Sequence, residues 1–266
     1  MAKKEKPIQS PDYEKAPMDR RTFIKRVAVA GGLTAGVGYV SYAPEKAPFS
    51  RKDTTGLRSV IVPEPYTLKD FRVAKPEGQI ADIGIARGVR RADGLFDNEQ
   101  KRNLLKQAVD AIGGLEHYIK KGDVVLVKPN VAFDRSPNLG ATSNPEMLEE
   151  LIRIIISDAG ASEVRIADNP IESAPDCFAK SKIGPAADRA GARLYMPDDN
   201  AFSMLNTPGA ALIENWWFFN RPFKGVDKVI GFAPVKDHNL CHASMGIKNW
   251  YGLLGGTRNQ FHQDIH

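Results

Sequence analysis

The sequence predicts an α/β fold, with a mostly parallel β-sheet and helices on both of its faces in Rossmann-like layers. Apolar strand patterns alternate with helical patterns along residues 79–266, and this alternation is typical of a parallel sheet. The segment 123–130 is apolar for most of its length, as expected for a strand that is covered on both faces. With 266 residues, of which 42% are hydrophobic, the chain is long enough to bury a sizeable core.

Each predicted helix has a local signal. The first, 97–121, places its leucines and isoleucines at helical spacing behind Asp97, a suitable N-cap. The second, 144–160, has a proline near its start and a glycine after its end. The third, 176–190, is interrupted by Gly184-Pro185. The predicted strands are 79–88, 123–130, 162–168, 192–196, 215–220 and 226–236.

Residues 1–43 have the composition of an export leader. Arg20-Arg21 is followed by Thr-Phe-Ile-Lys and then by a weakly apolar, Gly- and Ala-rich run that is too short to span a bilayer. This pattern resembles the twin-arginine translocation signal. The resemblance implies the twin-arginine translocase as a partner and a location in the periplasm or at the outer face of the inner membrane. Pro44 directly follows a cleavage-like Ser-Tyr-Ala, so both cleavage and retention of the leader stay open. We expect 44–78 to be a linker or wrapping segment.

The charge and cysteine content exclude two classes of function. The formal net charge is +5, but residues 1–43 contain eight Lys/Arg against four acidic residues, and the remainder is nearly neutral. No basic, aromatic-interleaved strip is present that would follow a nucleic acid backbone. Cys177 and Cys241 are too few for an iron–sulfur cluster of the protein's own. Two free thiols are favoured over a disulfide between them.

Polar residues follow three of the predicted strands at the point where each strand ends. Lys128 and Asn130 follow the stretch 123–127, Asp168 follows 163–167, and Lys236 and His238 follow 229–233. Ligands of open α/β sheets bind beyond the carboxyl ends of the strands. We therefore expect the three loops to converge on one pocket, where lysines hold an anion. The alternative is that each lysine is a solvated cap of its strand.

Further candidates lie in the glycine-rich segment that follows. Lys248 and Asn249 would add to the ligand-binding set of Lys128, Asn130 and Lys236, with His238 and Asp168 as the catalytic candidates. A metal ion is a second interpretation of the same region, because imidazole and thiolate are the ligands that zinc and iron prefer. Its predicted ligands are His238, Cys241 and His242, and an alternating His-x-Asp-x-His pattern occupies 262–266. The identity of any cofactor stays open.

The stretches "VVLVKPNVAF", "VDKVIGFAPVKDHNLCHASMGIKNWYGLL" and "HQDIH" resemble the domain-of-unknown-function family 362. The resemblance covers 80–266 and rests on Lys-Pro-Asn after a strand, on Lys236 with His238, and on Gly-x-Lys-Asn at 246–249. Where the family has Thr between Lys and His, this chain has Asp237. The resemblance implies no settled activity. Some members carry a ferredoxin-like segment whose cysteines are absent here. Members also continue past the last motif, which implies that part of the domain is missing here.

The sequence therefore predicts an exported enzyme, or enzyme-like protein, that binds a small anionic ligand at the strand ends and is linked to redox chemistry. The alternative is a non-enzymatic metal- or cofactor-binding maturation protein for an exported redox partner. Whether the protein is an enzyme, and on which substrate, stays open at this point.

Overall fold

The computed structural model of the chain describes residues 66–74, 77, 81–210 and 214–262. The twin-arginine leader and most of the predicted linker lie outside the described residues, so these remain predictions. No described helix combines the length and the apolar character that a membrane crossing requires.

The strands form one parallel sheet and two antiparallel pairs. They are β1 (Val124–Pro129), β2 (Glu163–Ala167), β3 (Arg193–Tyr195), β4 (Phe202–Asn206), β5 (Asn215–Phe219), β6 (Lys228–Phe232), β7 (Lys236–His238) and β8 (His242–Ser244). The parallel sheet has the order β3-β2-β1-β6, while β4 pairs with β5 and β7 pairs with β8. In the central register, Val125 lies opposite Val164 on β2 and Lys228 on β6.

The helices begin where the sequence supplies caps. They are α1 (Asn98–Asp110), α2 (Pro145–Arg153, continued by a π-helical turn over Ile154–Asp158), α3 (Ala174–Lys180), α4 (Ile183–Arg189) and α5 (Gly246–Asn249). Asp97 and Gln100 form a reciprocal capping box at the start of α1. The Asn144 side chain accepts a hydrogen bond from the backbone N–H of Met147 at the start of α2. Short 3₁₀ turns cover Pro137–Leu139, Asp199–Ala201, Arg221–Phe223, Trp250–Leu253 and Arg258–His262.

Both faces of the parallel sheet are buried, which confirms the predicted α/β class. On one face, Val125 and Val127 of β1 pack with residues of α2, α3 and α4. On the other face, Leu126 packs with the β4–β5 pair and with the 3₁₀ turn Trp250–Leu253. Val125, Leu126 and Val127 are all completely inaccessible to solvent, so β1 is the centre of the protein.

The sequence predicts a strand over 79–88, but residues 81–88 do not form a strand in the structure. A Cβ atom at Gly84 would lie 2.0 Å from the carbonyl oxygen of Ala108, so this segment runs directly over α1. Ile83 and Ile85 are instead exposed. A strand needs the edge of a sheet to satisfy its backbone, and contact with a helix cannot provide that edge.

Three other elements are shorter than the patterns predict. α1 ends at Asp110, because Gly113 and Gly114 adopt positive φ angles of 93° and 89°. The stretch 176–190 forms two helices, as an interruption predicts, but they are separated at Lys182, whose φ is 63°, and the predicted break at Gly184-Pro185 is wrong because these residues lie in the first turn of α4. The stretch 226–236 divides between β6 and β7, because the main strand ends at Phe232.

Candidate functional site

The carboxyl ends of β1, β2 and β6 open into one cavity of about 60 Å³. This volume has room for a few water molecules or for a group the size of a carboxylate or phosphate. The structure brings together at this cavity the whole predicted ligand-binding and catalytic set: Lys128, Asn130, Asp168, Lys236, His238, Lys248 and Asn249.

A buried ion pair forms the floor of the cavity. Lys128 is the last side chain but one of β1, and it is fully buried. Its Nζ lies 2.6 Å from Oδ1 of Asp168, which follows β2 directly. The same Nζ donates to the carbonyl oxygen of Pro129 at 2.8 Å and to Oδ1 of Asn249 at 3.0 Å. An ammonium has three N–H donors, so the protein itself uses all the donors of Lys128.

Asp168 also fixes the backbone around it. Its Oδ2 accepts from the N–H of Val131 at 2.6 Å, and its Oδ1 accepts from the N–H of Asn169 at 2.9 Å. Gly252 lies directly against this pair, since a Cβ there would be 2.4 Å from Asp168 Oδ1 and 2.7 Å from Lys128 Nζ. The backbone of the glycine-rich segment therefore approaches the ion pair closely at Gly252.

Burial lowers the pKa of Lys128 from its ordinary value, while the charge of Asp168 and its hydrogen bond act in the opposite direction. Arg258, a residue that the sequence patterns did not single out, adds a smaller lowering effect. Its Nη2 donates to the carbonyl oxygens of Asn169 at 2.8 Å and Pro170 at 3.0 Å. These bonds attach the final 3₁₀ turn to the loop after β2, and no short-range pattern marks such a contact.

Lys236 is less deeply buried than Lys128. Its Nζ donates to Oδ1 of Asn130 at 2.9 Å and to the carbonyl oxygen of Ala141, and it stands 5.2 Å from the centre of the Phe133 ring. Burial, and to a smaller extent the positive charge of Lys248, lower the pKa of Lys236 to about 8. Burial and a neighbouring positive charge thus both disfavour the charged form of Lys236.

Lys248 is the least engaged of the predicted lysines. Its Nζ stands 5.3 Å from the centre of the Tyr251 ring, and among the described residues it has no carboxylate partner. Burial is the main reason that its pKa is also lowered. Asn249, the next residue, is buried and donates from Nδ2 to the carbonyl oxygen of Lys128 at 3.0 Å. The Gly-x-Lys-Asn segment thus provides one buried anchor and one lysine at the cavity.

His238 lies at the end of β7 in the β7–β8 hairpin and lines the cavity. Its Nδ1 accepts from the backbone N–H groups of Leu240 and Cys241, each at 3.2 Å. An imidazole that accepts at Nδ1 carries its proton on Nε2. His238 is therefore held by its own turn in one tautomer.

The hairpin pairs His238 with His242 directly, and Cys241 stands between them in the turn. Within the described ranges, however, no group of three His, Cys, Asp or Glu side chains is placed to hold a metal ion. The side chain of His262 and residues 263–266 lie outside those ranges, so the metal site stays a prediction. Cys177 and Cys241 are both free thiols, as predicted.

Positive charge dominates the cavity. Lys128, Lys236, Lys248 and Arg258 line it, and Asp168 is the one carboxylate among the described residues of the lining. Because Asp168 is matched to Lys128, the charges of Lys236 and Lys248 are not neutralised within this lining. Such a site favours an anionic ligand.

Known proteins provide two comparisons with this chain. The model of a family described as a domain of unknown function (DUF362) matches residues 125–266, more than half of the chain. A thylakoid-associated protein of Synechocystis is 24% identical over 166 residues, which cover 57% of this chain and 46% of that protein. The chain thus spans less than half the length of this curated relative. No solved structure matches significantly. The matched region begins in β1 and contains all the predicted site residues. The chain therefore belongs to the DUF362 family of domains of unknown function.

Proposed function

We propose that the cavity at the strand ends binds a small anion through Lys236 and Lys248, in an exported, enzyme-like protein. The observation that carries this proposal is the charge of the lining, with four cationic side chains against one carboxylate. Holding unneutralised ammonium groups in a half-buried cavity is unfavourable, and a bound carboxylate or phosphate relieves that cost.

Lys236 and Lys248 are the direct contacts in this proposal. Lys128 already uses its three donors within the protein, so an anion would have to displace one of these bonds to reach it. Lys236 uses two donors and keeps a third for a ligand. Lys248 has no hydrogen-bond acceptor among the described residues. Asn130 orients Lys236 by accepting one of its N–H groups.

His238 is the proposed proton-transfer group. In its Nε2–H tautomer it can donate a hydrogen bond to a bound anion or polar ligand, and proton donation requires that Nδ1 first release its two backbone N–H groups and accept a proton. Asp168 has a positioning role in this proposal. Its two oxygens already accept bonds from Lys128 and from two backbone N–H groups, and these bonds hold the loops that carry the other residues. Asn249 has a similar role, because its side chain holds Lys128 in position through two hydrogen bonds.

The proposed location is the periplasm or the outer face of the inner membrane, reached through the twin-arginine translocase. The leader pattern supports export, and the name of the Synechocystis relative, a thylakoid-associated protein, supports a membrane association. A redox partner at that location is part of the proposal. The alternative, a metal or cofactor carrier for such a partner, would require metal ligands that the described residues do not group.

Isothermal titration of the purified protein with inorganic phosphate, sulfate and small carboxylates tests the proposed function. We expect Lys236→Ala and Lys248→Ala each to weaken binding about tenfold or more, because each removes a charged hydrogen-bond donor. Lys224→Ala is the matched control, since Lys224 is exposed and precedes β6 at the opposite edge of the sheet. Equal affinities in the three variants would contradict the proposal. Metal analysis of the same preparation tests the carrier alternative.

A further inference from the structure

Several large apolar side chains that lie close in sequence to the lining of the cationic cavity are exposed. Ile247 is 91% exposed, Val235 is 79% exposed and Met245 is 52% exposed. Soluble proteins rarely expose apolar side chains in such groups without an interaction that uses them. We call this group the apolar rim: Ile171, Val235, Leu240, Met245, Ile247 and Trp250.

The apolar rim is adjacent in sequence to the lining of the anion-binding cavity. Ile171 lines the cavity itself, and each other member lies within two residues of a lining residue. Ile247 directly precedes Lys248, and Val235 directly precedes Lys236. Each lysine that is proposed to hold the anion therefore has an exposed aliphatic neighbour.

We propose that the apolar rim and the cavity together dock the protein on an anionic lipid bilayer. The apolar rim enters the interfacial layer, and Lys248 and Lys236 contact the phosphate of a lipid headgroup. This inference rests on the proposed function, because it identifies the small anion of the cavity as the headgroup of an anionic lipid.

Charge and composition favour a lipid surface over a water-soluble anion. A free phosphate or carboxylate would make no use of the apolar rim, whereas a phospholipid presents an anionic group beside apolar chains. Trp250 and Lys248 are residue types that concentrate where a membrane meets water. Interfacial binding combines buried apolar area with attraction between lysines and anionic lipids, and this face of the protein provides both.

Sedimentation with vesicles tests the docking surface. The full chain is mixed with vesicles of phosphatidylglycerol and phosphatidylcholine, or with phosphatidylcholine vesicles alone, and the bound fraction is measured. We expect the double variant Val235→Ser/Ile247→Ser to bind the anionic vesicles about tenfold more weakly. The matched control is Ile83→Ser/Val89→Ser, because Ile83 is 75% and Val89 is 86% exposed outside the apolar rim. All variants keep the same first 65 residues, so any membrane affinity of the leader cancels.

The cavity is tested in the same assay. Lys248→Ala is expected to weaken binding to anionic vesicles about fivefold and to leave the weaker binding to phosphatidylcholine unchanged. The Lys224→Ala control should bind as the wild type does. Circular dichroism melting of each variant confirms that it is folded, which is expected because the substituted side chains of the apolar rim are exposed.

Separate outcomes distinguish this inference from the proposed function. Titration with glycerol phosphate measures the headgroup without its chains. If the protein binds glycerol phosphate but not anionic vesicles, the docking inference is overturned and the proposed function stands. If it binds neither, the docking inference is overturned, and the proposed function fails as well when phosphate, sulfate and small carboxylates also do not bind. Equal binding to the two vesicle types, or equal binding of the apolar-rim variant and its control, also overturns the inference. So does light scattering that shows the apolar rim joining two copies of this chain.

Discussion

Replacing Asp168 by Asn is expected to destabilise the protein severely. The carboxylate lies 2.6 Å from the Lys128 ammonium, and the two side chains are 2% and 1% exposed. Asn removes the charge but keeps the shape, so the ammonium stays buried without its partner. The new amide can also accept through only one of its two terminal atoms. At least one of the N–H groups of Val131 and Asn169 therefore loses its acceptor.

The expected cost is about 3–5 kcal/mol, the usual penalty for removing one partner of a buried ion pair. This is a large fraction of the roughly 5–15 kcal/mol that stabilises a typical domain. It corresponds to a fall of roughly 6–20 °C in melting temperature for a chain of this size. Lys128→Met should cost less, about 1–3 kcal/mol. In that variant Asp168 keeps both backbone donors and the nearby positive charge of Arg258.

The assay is unfolding by guanidinium chloride for the wild type, both single variants and the double variant Lys128→Met/Asp168→Asn. The double variant should cost about 1–3 kcal/mol less than the sum of the single variants, because the two side chains act as a unit. The stability of Asp168→Asn should rise between pH 7 and pH 10. In the folded variant the pKa of Lys128 lies further below its unfolded value, so the unfolded state binds more protons in this range.

Two results would refute this reasoning. A cost below about 1 kcal/mol for Asp168→Asn would mean that the ion pair is not effectively buried. Strict additivity in the cycle would mean that Lys128 and Asp168 do not interact in solution. Mass spectrometry of the intact variant excludes deamidation of the new asparagine as the cause of an apparently mild effect.

Three further predictions concern the cavity and the thiols. The affinity for sulfate, whose charge is constant, should not change with pH below pH 8 and should fall by up to about tenfold per pH unit above it, because binding requires a protonated Lys236, whose pKa is about 8. Titration calorimetry across pH 6–10 checks this prediction, and an affinity that does not change with pH contradicts it. Gly252→Ala should lower stability by about 1–3 kcal/mol, because its Cβ would contact the ion pair. Gly246→Ala should have little effect, because nothing lies within 4 Å of its Cβ; thermal melts of the two variants compare them, and equal melts would refute the close approach. Ellman's reagent at pH 8 should modify Cys241 and leave Cys177 unmodified until the protein unfolds, because burial raises the pKa of Cys177 to about 11. Peptide mapping identifies the modified thiol, and rapid modification of Cys177 in the native protein would argue against its burial.

The sequence patterns predicted the sheet well where a signal was local. β1 is an apolar run as far as Val127, and its burial on both faces follows from that composition. The convergence of Lys128, Asn130, Asp168, Lys236 and His238 followed from one rule, since parallel strands end at the same edge of a sheet. The wrong strand at 81–88 shows the limit of such patterns. Alternating apolar residues mark a segment that could pair as a strand, but the pattern does not show whether a neighbouring strand is present to pair with it.

The sequence by itself determined the α/β class, the strand ends that carry the polar residues and the positive character of the site. Only the tertiary structure decided what each residue does there. Lys128 and Lys236 look alike in the sequence, because each follows an apolar strand. In the structure the ammonium of Lys128 has three hydrogen-bond partners, one of which is Asn249, 121 positions away in the sequence. The ammonium of Lys236 has two. Hydrogen bonds and burial depend on side chains that are distant in sequence and adjacent in space, and a local pattern contains no information about such neighbours.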